Sequence, residues 1–219
     1  PPAFFDGYRR KDGKTGVRNE LWIVPMVGCV NGLAKQLERL ASARLPEGVD
    51  GVFAFQHSCG CSQLGDDLEN TQKLLRGLLL HPNAGGVLAL SLGCENNRPE
   101  DMQALLGDYD KERIQFLVCQ DCEDEVEEGL RVLDRLGRYT ASFRREPCPV
   151  SSLTVGLKCG GSDGLSGITA NPTVGAFSDQ LIACGGSSIL TEVPEMFGAE
   201  QLLLNRCRDL RTFEAAVAM

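Results

Sequence analysis

Short apolar runs rich in Val, Ile and Phe alternate along the chain with longer stretches whose apolar residues stand three and four apart. The short runs predict six strands, at residues 17–24, 51–56, 86–92, 113–119, 153–158 and 187–191. Between them, residues 33–43, 64–80, 99–106, 124–139 and 171–183 carry the spacing of amphipathic helices. Strand and helix in alternation predict an α/β fold: a Rossmann-like open parallel sheet with helices on both faces and right-handed crossovers. Pro99, followed by Glu100 and Asp101, marks a helix start, because proline lacks only an N–H that a first turn leaves unused and acids suit the dipole there. The polar segment Arg144-Arg145-Glu146-Pro147-Cys148-Pro149 predicts a boundary that divides the chain into domains 1–147 and 148–219. The second has two strands and a last helical pattern, 209–219, without a glycine cap, so the chain reads as part of something longer.

Composition narrows the function. The 219 residues are 42% hydrophobic and 24% charged, which supports a packed core and excludes a disordered or fibrous chain. A formal charge of -8, from 22 basic and 30 acidic residues, argues against nucleic-acid or anionic-membrane partners and leaves small anions as substrates. Glycine or charge breaks every apolar run long before the ~20 residues of a membrane span. The start, Pro1-Pro2-Ala3-Phe4-Phe5, has no secretory pattern. Ten cysteines scattered through a chain able to build a core read as reduced thiols and a few ligands, so a soluble, cytoplasmic protein is expected.

Three motifs suggest chemistry and fail. Gly13-Lys14-Thr15 lacks the glycine five positions earlier that a phosphate loop needs, since Tyr8 stands there, and it precedes a strand instead of coming after one. Gly160-Gly161-Ser162-Asp163-Gly164 fits G-x-S-x-G, but a hydrolase triad needs a later histidine, and His57 and His81 both come earlier. Cys119-Gln120-Asp121-Cys122 is surrounded by Asp121, Glu123, Asp124 and Glu125, which would raise thiol pKa values and work against a reactive thiolate.

Three strand ends survive as candidates: His57-Ser58-Cys59-Gly60-Cys61, Gly93-Cys94-Glu95-Asn96-Asn97 and Cys159-Gly160-Gly161-Ser162-Asp163. Carboxyl ends of parallel strands share one edge, so cysteines from separate strands can meet there and hold a metal; each alone reads equally as a buried thiol. The glycines let backbone approach a ligand, and N–H groups at the next helix starts suit carboxylate or phosphate oxygens. Asn96, Asn97, Ser162 and Asp163 suit a row of hydroxyls, or else serve as caps and turns. Arg18 and Asn19, polar within a strand pattern, face either solvent or a site. His57 is the candidate proton carrier, whereas His81, after a helix and before Pro82, reads as structural. Glu192 and Glu195 come after a strand as candidate ligands or bases, and Glu200 reads as part of a first helical turn.

These blocks, together with Tyr8-Arg9-Arg10, Gly16-Val17-Arg18-Asn19, Gln63-Leu64-Gly65-Asp66-Asp67, Gly164-Leu165-Ser166-Gly167 and the run from Glu192 to Glu200, resemble the altronate/galactarate dehydratase family in order and through nearly the whole chain. The resemblance implies a hydro-lyase that dehydrates a sugar acid to a 2-keto-3-deoxy acid with a divalent metal, usually iron (Fe2+), in a longer protein. Cys59 and Cys122 lie outside the family pattern. On this reading His57 is base or acid, partnered by Asp66, Asp67 or Glu195. Arg18, Asn19, Asn96, Asn97, Ser162 and Asp163 bind substrate. Cys61, Cys94 and Cys159, with Glu95 and Glu192, hold the metal. Thiolates favour iron or an iron–sulfur cluster, carboxylates a hard ion beside merely buried thiols, and both alternatives stay open. Elimination of sulfite from sulfolactate and a non-catalytic metal-binding module are the competing functions; self-association is left open.

Overall fold

The computed structural model describes residues 3–161, 163–192 and 196–219. Contacts divide the chain into two units, Phe4–Pro149 and Val150–Met219, with Ala3 belonging to the latter. The division falls two residues beyond the boundary read from the sequence, because Cys148 and Pro149 still pair with the first strand.

In chain order the first unit contains β1 (Phe4–Arg9), β2 (Thr15–Gly16), β3 (Glu20–Pro25), α1 (Asn31–Ser42), β4 (Val52–Ala54), α2 (Gly65–Leu79), β5 (Ala84–Ser91), α3 (Pro99–Leu106), β6 (Ile114–Val118), α4 (Glu125–Thr140) and β7 (Glu146–Pro149). The second contains β8 (Thr154–Leu157), α5 (Ala170–Ala183), β9 (Ser187–Leu190), α6 (Glu200–Leu204) and α7 (Leu210–Ala218).

The main sheet has the order β4-β3-β5-β6, and all its strands are parallel, with Leu21 facing Val52 on one side and Gly86 on the other. Every residue of β3 and β5 is buried. Side chains alternate across the sheet: Leu21, Ile23, Leu88 and Leu90 pack with Leu37 of α1 and Leu133 and Leu136 of α4. Trp22, Val24, Val87 and Ala89 pack on the other face with Leu75 and Leu79 of α2 and Met102 and Leu106 of α3. Two covered faces explain why these strands read as continuous apolar runs. Each fully buried aliphatic side chain contributes roughly 1.5–3 kcal/mol, so the two clusters dominate the stability of this unit.

The hydropathy pattern missed a small antiparallel sheet of order β2-β1-β7. Gly13-Lys14-Thr15 closes its hairpin: Arg10 N donates to Lys14 O at 2.8 Å and Gly13 has φ of 82°. Hairpin geometry there agrees with rejecting a phosphate loop. The strand expected at 17–24 begins only at Glu20, and the one expected at 51–56 pairs over three residues at the sheet edge.

In the second unit β8 and β9 pair in parallel, Thr154 against Ser187, and α5 turns the buried Leu181 inward. Ile168, Phe177, Ile182, Ile189 and Leu190 are exposed.

Candidate active site at the carboxyl edge of the sheet

The chain winds from β3 to β4 on one side, crosses back over β3 to β5, and continues outward to β6, so the strand order reverses between β3 and β5. Open α/β sheets bind ligands in the crevice outside the carboxyl ends of such neighbouring strands. Three loops, 26–30, 55–64 and 92–98, meet at that crevice and are stitched together by backbone and amide groups. Gly28 N donates to Cys59 O at 2.8 Å, and Asn31 Nδ2 donates to His57 O at 2.7 Å. Asn96 joins the loops after β4 and β5, its backbone N donating to Cys61 O at 2.9 Å and its Nδ2 to Gln63 O at 3.0 Å. Asn97 reaches the loop after β3, donating from Nδ2 to Met26 O at 3.0 Å; its Oδ1 is buried and has no hydrogen-bond partner among the described residues.

His57 is half-buried, and backbone groups engage both its ring nitrogens. Cys59 N donates to Nδ1 at 3.1 Å, while Nε2 lies 2.8 Å from Pro25 O. An N–H donor on one side and a carbonyl acceptor on the other assign the neutral Nε2–H tautomer. Asp66 and Asp67 are exposed in the first turn of α2, where the helix dipole favours acids, and neither shares a hydrogen bond with His57 among the described residues.

Glu95 is 3% exposed and faces inward. Its carboxylate accepts from the Ser91 hydroxyl, from Leu92 N at 3.1 Å and from Gly93 N at 2.7 Å. Cys61 and Cys94 are exposed on loops that Asn96 joins. Cys119 and Cys122 sit in a 3-10 turn after β6. Burial, with Cys122, Glu125 and Glu95 adding to it, pushes the Cys119 thiol up to about 11, and burial raises Cys122 as well. Burial thus works against a thiolate in this pair ahead of the acids that the sequence suggested.

The structure separates Arg18 and Asn19 from the crevice, since they precede β3 and lie at the amino edge of the parallel sheet. Asn19 is fully buried as a crosslink: its Oδ1 accepts from Arg10 Nη1 at 3.0 Å, and its Nδ2 donates to Gly48 O at 2.7 Å and Thr140 O at 2.9 Å. Arg18 is exposed and pairs with Glu20 at 3.2 Å. Neither reaches the loops that gather the other candidates, because polar residues at the start of a strand report the opposite edge from polar residues at its end.

Cys159, Asp163 and Glu192 belong to the second unit, while Ser162 and Glu195 lie outside the described residues. Glu192 accepts from Lys158 Nζ at 2.7 Å and Cys159 N at 3.0 Å, and these partners hold its pKa below the ordinary value, the Lys158 bond first. It adopts the left-handed region, φ 61°, a conformation unfavourable for a residue with a Cβ. Asp163 accepts from Leu165 N at 2.7 Å and Ser166 N at 2.9 Å, and these backbone bonds, with the Ser166 hydroxyl, lower its pKa. It is the turn residue of its loop.

One part of the crevice escaped the sequence reading. Gly28-Cys29 comes after β3 as Gly60-Cys61 comes after β4 and Gly93-Cys94 after β5. The repeated Gly-Cys pair after consecutive strands was the available signal, with Asn31 close behind.

Among the described residues no group of three or more His, Cys, Asp and Glu side chains is placed to hold a metal ion. Glu95 is committed to its own strand end and Glu192 to Lys158 and Cys159, so the expected ligand set does not fit a metal within either unit. No catalytic step is derived through one.

The first unit is thus an open parallel α/β sheet with glycines, thiols and amides gathered at its switch point. The family model for the second domain of D-galactarate dehydratase/altronate hydrolase matches residues 7–141, and that for the C-terminal region of D-galactarate/altronate dehydratase matches residues 150–219; the chain belongs to this family. It is 56% identical to altronate dehydratase of Escherichia coli K12 over 214 residues, 97% of this chain and 43% of the relative. It is 36% identical to galactarate dehydratase (L-threo-forming) of the same organism over 216 residues, 92% of this chain and 41% of the relative. The beta subunit of (2R)-sulfolactate sulfo-lyase from Chromohalobacter salexigens is 30% identical over 206 residues, 93% of this chain and 50% of the relative. The chain thus spans half or less of the length of these relatives. Among the described residues no helix is long and apolar enough to cross a membrane.

Proposed function

We propose that the full-length protein is a hydro-lyase that removes water from a sugar acid, altronate or a related aldonate or aldarate, and releases a 2-keto-3-deoxy acid. The observation that carries this reading is the 56% identity to a named altronate dehydratase, which extends through both units instead of stopping at one motif. The crevice supports it physically. Abstracting a proton next to a carboxylate adds negative charge to an anion, so the site must supply preorganised donors. The start of α3, at the switch point and without a side-chain cap, offers backbone N–H groups, and the exposed Asn96 offers its amide for a hydroxyl group, whereas Asn97 is buried and serves to hold the loop after β3.

Base and acid are drawn in this proposal from His57, Asp66, Asp67 and Glu195. His57 enters the chemistry by releasing the Cys59 N–H, which frees Nδ1 to take a proton while Pro25 O still holds Nε2–H. The reading carries with it a divalent metal, iron as Fe2+ or in a cluster, in the full-length protein, a small-molecule substrate in the cytoplasm, and self-association as an open property. It includes neither nucleic acid nor membrane as a partner.

Full-length protein purified without air, with and without added iron, tests the proposal through keto-acid formation from altronate, galactarate and sulfolactate. Keto acid from altronate is expected, with iron and sulfide contents reporting the metal form. Sulfite released from sulfolactate alone assigns the sulfo-lyase chemistry of the 30% identical relative. Inactivity on all three leaves a non-catalytic module.

A further inference from the structure

We infer that Glu95 is a positioning residue, whose buried carboxylate folds the end of β5 so that Cys94 and Asn96 are presented to the crevice, rather than a metal ligand. An ionised carboxylate offers about four lone-pair sites. Three here are filled from the residue's own strand end: Oε1 takes the Ser91 hydroxyl and Leu92 N–H, and Oε2 takes Gly93 N–H. Glu95 has no Lys, Arg or His ion-pair partner among the described residues. The charge is instead offset by charge-assisted bonds from a hydroxyl and two backbone dipoles.

This closed turn sets the path of the chain beyond it. Gly93 takes φ of 121°, which a residue with a Cβ rarely adopts, and the chain then carries Cys94 outward while Glu95 turns in. Asn96 leaves the turn to bond Cys61 O and Gln63 O, and Asn97 to bond Met26 O. One inward carboxylate therefore sets the register among the three loops of the switch point. Moving it onto a metal would strand two backbone donors and a hydroxyl that are now satisfied inside the protein.

The inference rests on the proposed dehydratase reading only for its kinetic test. Full-length Glu95→Gln and Ser91→Ala proteins are compared with the parent. In the first measurement, alkylation by iodoacetamide is tracked site by site by peptide mass spectrometry. Cys94 labelling is expected to change at least threefold in both variants, with Cys184 of the second unit as the unchanged reference. In the second, KM for the sugar acid is expected to rise about tenfold while kcat stays within about threefold, since the loop orients binding groups. A ligand role gives the opposite pattern: Ser91→Ala matches the parent in both measurements, and Glu95→Gln loses kcat at unchanged KM. Either result overturns the inference. Should Glu95→Gln fail to fold, Ser91→Ala, which removes a single donor, decides alone. If no sugar acid is turned over, the dehydratase reading fails while the labelling measurement still decides the role of Glu95.

Discussion

The two units share an alternation of strand and helix and differ in how much of it is covered. In the first, four parallel strands have α1 and α4 on one face and α2 and α3 on the other, and β3 and β5 are buried along their whole length. In the second, two parallel strands meet a helix that buries one leucine, and Ile189, Leu190, Phe177 and Ile182 stay exposed. Among the described residues, both faces of a sheet are sealed only in the first unit, which has the strands and helices to do so.

The sharpest way to break this comparison is to separate the units. Residues 1–149 are expected to melt cooperatively by circular dichroism, and residues 150–219 to show no cooperative transition; a sharp melt of the second piece would remove the contrast. Next in size are paired truncations. Leu88→Ala, at a fully buried position, should lower stability by about 2–5 kcal/mol in urea unfolding, whereas Phe177→Ala in α5, 46% exposed, should change it by about 0.5 kcal/mol or less. Equal effects would mean that α5 is covered in solution.

Asn19→Ala sharpens the distinction between the two edges of the first sheet. Loss of a buried amide bonded to Arg10, Gly48 and Thr140 should destabilise by about 2–3 kcal/mol, with KM for substrate unchanged. A raised KM in a folded variant would return the amino edge to the site.

The smallest expected effect is on pH. Burial, helped by nearby Arg113, lowers the pKa of His81, which stacks on Trp22. Its neutral form is favoured in the folded state, so the unfolded chain binds the proton more readily. Stability is therefore full above the ordinary histidine value of about 6.5 and declines as pH falls below it. Urea midpoints at pH 7.5 and 5.5 should show a smaller drop in His81→Asn than in the parent; identical drops would place the acid sensitivity elsewhere.

Legibility tracked periodicity. Helix α3 occupies the residues its proline and acids announced, Pro99–Leu106, and the buried strands of the main sheet stood out because both faces are apolar. The antiparallel sheet stayed hidden. Its strand β7 reads Glu-Pro-Cys-Pro, a breaker by composition, yet prolines are tolerated on an edge strand paired only with β1. The loops of the candidate site were visible as strand-end punctuation, but the direction of each side chain was not. Composition cannot tell an acid that faces a ligand from one, like Glu95, that satisfies the backbone behind it. Nor does it distinguish Asn19, which crosslinks the far edge, from Asn96, which joins two loops of the crevice.

The brevity of β4 has a further consequence. Val52–Ala54 is the outer strand on its side of the main sheet, and three residues expose too few unpaired amides and carbonyls to template a strand from another molecule. On that flank the sheet is protected against edge-to-edge growth and aggregation, a safeguard built from shortness alone.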